Sequence, residues 1–444
     1  MSTNGDFSQG RISSNIIRLT LPMLVAEFVH VLYNLVDRMF IGHIQGYGTQ
    51  ALTGVGIAFP IITVITAFAS LFGQGGAPLC AIERGKKADG EAEKIMNTSY
   101  NMILLVSLLL TLLLFALRKK ALMLVGANDD TIQYALDYFS IYLFGTPFVM
   151  ISLGMNPFIN VQGFSKRGMC TVLIGAISNI ILDPIFIFSF KMGVKGAAIA
   201  TDISQIISAI FVLCFLRGNK AVLKLKSFII VPQYVKSILA LGITGFTFKI
   251  TNSVTQAIAN ATLAAHGGDL YIAGMSVIYS LREVVMLPIS SITEGSRPVL
   301  SYNYGAKLTK RVKKSVQFVF GTTLAYNLTA WALLMFFSKY FIQIFTDDNQ
   351  LIELTIPCLR IFFGTFFMMT FQMVGQNTFV SLNFPRQAVF FSLLRKLFLI
   401  VPLTLLLPLT SMGVLGVFYA EMFSQIIGGT CCFITMIFVI YRHL

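Results

Sequence analysis

The sequence predicts an all-α, polytopic membrane protein with twelve transmembrane helices in two pseudo-symmetric six-helix bundles. Three observations predict it. First, of 444 residues 56% are hydrophobic and only 12% are charged, with a mean hydropathy of +0.77. Apolar runs of about 20 residues, the length that crosses a bilayer, recur from end to end. A membrane β-barrel would show short alternating segments instead. Second, basic residues are divided unevenly between successive loops. Third, many residues recur at a constant spacing of 220 positions.

The spans are expected at about 16–41, 50–79, 96–117, 131–155, 169–190, 197–216, 235–262, 271–299, 316–338, 353–380, 389–409 and 415–440. The polar first residues and the long first apolar run, which carries Asp37, do not suggest a cleavable signal peptide. With the N-terminus inside, the cytoplasmic loops hold Arg84, Lys86, Lys87, Lys94, Lys220, Lys224, Lys310, Arg311, Lys313 and Lys314, among others. The outer loops hold Arg118, Lys119, Lys120, Lys191, Lys195 and Lys339. This asymmetry predicts that both termini are cytoplasmic. It also accounts for the net charge of +14 without nucleic acid as a partner. Six cysteines lack CxxC spacing, and Cys431 and Cys432 are adjacent, so neither a disulfide framework nor a zinc site is expected.

The basic linker from Arg217 to Pro232 divides the chain, giving expected lobes 1–225 and 226–444. Pro78 answers to Pro298, Gly85 to Gly305, Gly193 to Gly413, Phe164 to Phe384 and Gly54 to Gly274, each 220 residues on. Phe144-Gly145-Thr146 returns as Phe363-Gly364-Thr365, a slip of one. An even number of spans per half makes the repeat parallel, about an axis along the membrane normal. Transporters built this way alternate by moving one bundle against the other.

The acids break the repeat. Asp37 faces Ala257, Asn179 faces Leu399, Asp183 faces Leu403, and Thr201 faces Glu421. A carboxylate within a span costs roughly 3 kcal/mol or more, which makes it a functional candidate. Asn179 and Asp183 are four apart and share one helical face, and Pro184 loosens the backbone beside them. Tyr33 and Asp37 are likewise four apart, and Pro22 offers a hinge earlier in the first span. Asp37, Asn179, Asp183 and Thr201 supply two carboxylates, an amide oxygen and a hydroxyl. That set suits a hard cation such as Na⁺, or two carboxylates sharing a proton. Beyond such a Na⁺ no metal site is expected. The second half carries Lys249, Glu283 and Glu294 as candidates for a site of its own. The 40 Phe and 19 Met could line a pliable pocket with cation–π contacts. Tyr138, Asn156 and Asn160 are the polar candidates for its lining.

Pro22 and Asp37 in the first span, Asn179 with Asp183-Pro184 in the fifth, Thr201 in the sixth, and the Gln74-Gly75…Pro78 and Glu294-Gly295…Pro298 repeats resemble the multidrug and toxic compound extrusion family over nearly the whole chain. The acids resemble the branch with paired aspartates in the N-terminal lobe. The resemblance implies an inner-membrane antiporter that expels cationic, lipophilic compounds in exchange for H⁺ or Na⁺. It implies a coupling-ion site at Asp37, Asn179, Asp183 and Thr201, and a moving first helix with Pro22 and Tyr33. The expected partners are small molecules and membrane lipids, with the protein a monomer and no cofactor beyond the coupling ion. The alternative is a lipid-linked oligosaccharide flippase of the same superfamily, which needs several inward-facing Arg or Lys to meet a pyrophosphate. An enzyme is not expected. The histidines His30, His43, His266 and His443 show no metal spacing, no nucleophile constellation is present, and no Gly-rich loop with Lys-Ser/Thr supports an ATP-driven pump.

Overall fold

A computed structural model of the chain describes residues 5–226 and 228–444. The described residues are overwhelmingly helical. In the first half α1 is Ile12–Gly42, α2 is Gly48–Gly85, α3 is Asp89–Leu124, α4 is Ile132–Val161, α5 is Ser165–Pro184 and α6 is Val194–Arg217. In the second half α7 is Pro232–His266, α8 is Asp269–Gly305, α9 is Thr309–Phe336, α10 is Ser338–Gln343, α11 is Asn349–Phe363, α12 is Met369–Ser381, α13 is Pro385–Leu393, α14 is Val401–Leu406 and α15 is Gly416–Met436. Eleven helical segments among the described residues are long and apolar enough to cross a membrane. α7, expected as a span at 235–262, has the length at 35 residues but is too polar to count among them.

Several helices extend past their apolar runs into polar residues. In α3, Asp89 and Glu91 occupy the first turn, where acids complement the helix dipole. Pro184 ends α5, and a π-helical turn, Ile185–Ser189, follows it. A second π-helical segment, Leu394–Ile400, lies between α13 and α14. Pro22, by contrast, lies within an unbroken α1.

The repeat is written in the backbone as well as in the sequence. Left-handed residues occur at Lys87 and Lys307, at Gly163 and Asn383, and at Gly193 and Gly413, each pair 220 apart. After α2, Ala88 N–H donates to Glu83 O at 2.9 Å, and after α8, Leu308 N–H donates to Asn303 O at 2.9 Å. Both turns are the six-to-one closure that ends a helix at a left-handed residue.

The chain divides into two compact units: residues 5–9 with Arg18–Phe246, and Gly10–Ile17 with Thr247–Leu444. In the first, α4 packs between α2 and α6. The α2–α4 approach depends on bare backbone: a Cβ at Gly73 would stand 2.4 Å from Gly154 O. Small residues at such crossings are what bring membrane helices together. Phe72, Phe139 and Phe158 are fully buried in this unit's core. In the second unit, Phe363, Phe366 and Phe418 fill a separate core, with α12 packed along α15.

Candidate functional site in the first unit

The buried acids of the first unit come from three helices. Asp37 on α1 is 6% exposed and Asp183 on α5 is wholly buried. Their carboxylates lie within hydrogen-bonding reach of each other. Asn179, one turn before Asp183, donates its Nδ2 to Asp183 Oδ1 at 3.1 Å, as the four-residue spacing on one face allows. Asp37 Oδ1, Asp183 Oδ2 and Asn179 Oδ1 are buried with no hydrogen-bond partner among the described residues. An ionised carboxylate only accepts, so neither acid can satisfy the other without a proton or cation between them. The oxygens fit either: hard, anionic or amide, and otherwise unsatisfied.

Around this pair stand phenols. Tyr33, one turn before Asp37, is within electrostatic reach of both acids. Tyr138 on α4 lies near Asp37 and within hydrogen-bonding reach of Thr201 of α6. Tyr142 stacks on Tyr138, with ring centroids 6.1 Å apart, and lies near Tyr33 and Asp202. Thr201 thus meets the site through Tyr138. Asp37, Asn179 and Asp183 form its acidic heart.

Asp202 was not singled out from the sequence. It is 8% exposed, its Oδ1 has no hydrogen-bond partner among the described residues, and it rests against the backbone of Gly145. A signal was present in the sequence: an acid within an apolar run deserved the same scrutiny as Asp37. No group of three or more His, Cys, Asp or Glu side chains that could share a metal ion occurs among the described residues. Asp202 is linked to the pair through Tyr138 and Tyr142, which lie near it.

Asn156 donates to Gly168 O at 2.9 Å, and Asn160 lies 3.4 Å from the Asn156 side chain. A Cβ at Gly168 would lie 2.7 Å from both side-chain oxygens, so these amides sit at the α4–α5 crossing. In the second unit Lys249 is half-buried on α7, Glu283 is exposed on α8, and Glu294 lies 3.8 Å from Arg297, one helical turn on. These three are spread along two helices.

The MatE family model matches twice, at residues 22–185 and again at 245–406. The chain belongs to the MatE family. The double match takes in Asp37, Tyr138, Asn179 and Asp183 in its first copy. This MatE chain is similar to the multidrug export protein MepA of Staphylococcus haemolyticus strain JCSC1435, 26% identical over 80% of this chain and 78% of that protein. MepA of Staphylococcus aureus strain NCTC 8325 is 23% identical over the same shares. Among solved structures, a MATE crystal structure in the bent conformation matches with a TM-score of 0.92 at 22% identity, covering 100% of this chain and 98% of that one. An outward-facing multidrug resistance MATE transporter of the MOP superfamily matches with a TM-score of 0.92 at 21% identity, covering 100% and 99%. At such identities the likeness of the MatE chain to these structures is one of fold.

Proposed function

We propose that this MatE chain is a secondary active antiporter that exports cationic, lipophilic drugs or toxic compounds in exchange for H⁺ or Na⁺. It works by alternating access between two lobes, residues 1–225 and 226–444. The observation that carries this reading is the Asp37–Asp183 pair: two buried acceptors within reach, with unsatisfied oxygens around them. Two such carboxylates cannot both stay charged without a proton or cation to share, so ion occupancy sets the charge of the site. Asn179 orients Asp183, and Thr201 acts through Tyr138. A proton or Na⁺ entering from outside neutralises the pair. The first helix then bends at Pro22, carrying Tyr33 and Asp37 with it, and the first lobe closes on its cavity and expels the bound cation. Tyr138, Asn156 and Asn160 belong to the drug path, and Lys249, Glu283 and Glu294 to a second-lobe site. The multidrug export names of the MepA relatives support drugs as substrates. The protein is a monomer of the inner membrane with both termini in the cytoplasm. It needs no cofactor beyond the coupling ion and is a transporter, not an enzyme.

Efflux of a cationic dye from proteoliposomes, driven in turn by a Na⁺ gradient and by a pH gradient, tests the reading. Efflux under at least one gradient is expected; none under either ends the proposal. A lipid-linked oligosaccharide flippase is the second reading. The observation that favours it is the burial of two adjacent basic side chains, Arg395 and Lys396, in the second unit. Transfer of a fluorescent pyrophosphate lipid between leaflets, with no dye efflux, would decide for it.

A further inference from the structure

The second unit buries positive charge that its own acids do not balance. Arg395 and Lys396 are each 2% exposed, and Glu421 on α15 is 6% exposed. Arg395 donates from Nη2 to Glu421 Oε1, and Gln425 donates to the same oxygen at 3.3 Å. Glu421 is thus committed to Arg395. Lys396 has no hydrogen-bond or ion-pair partner among the described residues, although Glu421 and Arg395 are both within electrostatic reach. Arg395 Nε is also buried without a partner. Arg282 of α8 adds a third cation within electrostatic reach of Arg395, Lys396 and Glu421. Three cations therefore face one carboxylate. Cations with so little exposure are costly, and a bound anion would offset that cost.

The backbone was adapted to hold this cluster. Arg395 and Lys396 lie on the π-helical segment Leu394–Ile400, and π-turns are rare and concentrate at functional sites. The Arg395 stem passes Gly428 of α15, where an added Cβ would stand 3.0 Å from Arg395 Cβ and 3.1 Å from its Cγ. The positions 220 residues earlier show what the same crossing looks like without charge. Gly175 stands for Arg395, Ser208 for Gly428, Ala176 for Lys396 and Thr201 for Glu421. There the glycine is on α5, and a Cβ on it would meet Ser208 Oγ at 2.4 Å. The small and large partners have changed sides. The first unit closes this crossing with Gly, Ala and Ser, so helix packing alone does not require Arg395, Lys396 and Glu421.

We propose that Arg282, Arg395 and Lys396 form an oxyanion site in the second unit, which takes the carboxylate or phosphate of an amphiphilic compound. Arg395 is held in place by Glu421, its unpartnered Nε and the Lys396 ammonium supply donors, and Arg282 completes the charge. Guanidinium and ammonium groups together are the usual means of binding such anions. The inference rests on the export reading above and deepens it: substrates that carry an anionic group beside their cationic or lipophilic part become preferred over those that do not.

The test uses the full chain in lipid nanodiscs, with a carboxylate-bearing lipophilic fluorophore and its methyl ester as probes. The wild type is expected to bind the free acid at least tenfold more tightly than the ester. Lys396→Met should remove that difference by weakening acid binding at least tenfold, and Lys396→Arg should keep it. Where Lys396→Met fails to fold, the half-exposed Arg282→Gln carries the same comparison. Competition by short-chain phosphatidic acid at lower concentrations than the dye acid assigns the site to lipid headgroups; the reverse order assigns it to a transported carboxylate, and either supports an oxyanion site. Equal binding of acid and ester, or a preference that persists in both Lys396→Met and Arg282→Gln, overturns it. Gradient-driven efflux of a cationic dye is measured on the same preparations. Efflux without acid preference defeats this inference alone, whereas acid preference without efflux defeats the export reading.

Discussion

Oδ1 of Asp202 occupies the space that a side chain at Gly145 would need: a Cβ built there would lie 2.0 Å from it. The glycine on α4 is therefore what admits a carboxylate from α6 into the interior of the first unit. Gly145→Ala should force Asp202 aside and cost about 1–3 kcal/mol, the range for overpacking a filled core. Thermal unfolding in detergent would show a lowered Tm. Because the two residues share one space, Gly145→Ala with Asp202→Ala should lose less than the two single losses together. Strict additivity would mean that the contact does not matter.

Asp37→Asn and Asp183→Asn keep side-chain size and remove the exchangeable charge. Each should reduce gradient-driven efflux to background while the protein remains folded in the membrane. The coupling ion should also stabilise the wild type, by about 2.7 kcal/mol at a hundred times its Kd, and should not stabilise either variant. Full efflux from a well-folded Asp183→Asn protein would remove the pair from the mechanism.

Pro22→Ala restores a backbone donor to α1 and takes away its hinge. Efflux should slow several-fold. Stabilisation by the coupling ion should be unchanged, because Pro22 lies fifteen residues before Asp37, about four turns along the helix. An unaltered efflux rate would show that α1 does not bend there.

Lys87 and Lys307 hold left-handed backbone at φ 62° and 57°. A non-glycine residue pays roughly 1–2 kcal/mol for that conformation. Lys87→Gly and Lys307→Gly should therefore each raise stability by about 1 kcal/mol, less the greater freedom of glycine in the unfolded chain. The readout is the unfolding midpoint, with efflux unchanged.

Much of this could be read from the sequence because the bilayer imposes simple rules. Spans follow from apolar length, Asp37 and Asp183 stand out because charge in a span is costly, and Asn179 because it shares a helical face with Asp183. The repeat was legible because Pro78 and Pro298, like Gly193 and Gly413, occupy equivalent places in the two halves. Other features depend on contacts distant in sequence. Asp202 sits beside Thr201, and nothing local reveals that Gly145 makes room for it. Arg395 and Lys396 fell inside an apolar run, and their burial depends on a π-helical segment and on Gly428 of another helix. Asn156 and Asn160 read as polar lining, and the hydrogen bonds that orient them at the Gly168 crossing appear only in the fold.

The turns at Lys87 and Lys307 have a meaning for biosynthesis. Each is closed by backbone bonds among neighbours, Glu83 to Ala88 in one half and Asn303 to Leu308 in the other. Such a turn does not wait for distant parts of the chain to be made. As the ribosome releases α3, the α2–α3 hairpin can already be bent, with Lys86 and Lys87 in its corner. The α8–α9 hairpin repeats the same corner 220 residues later, so each half can form its own without the other.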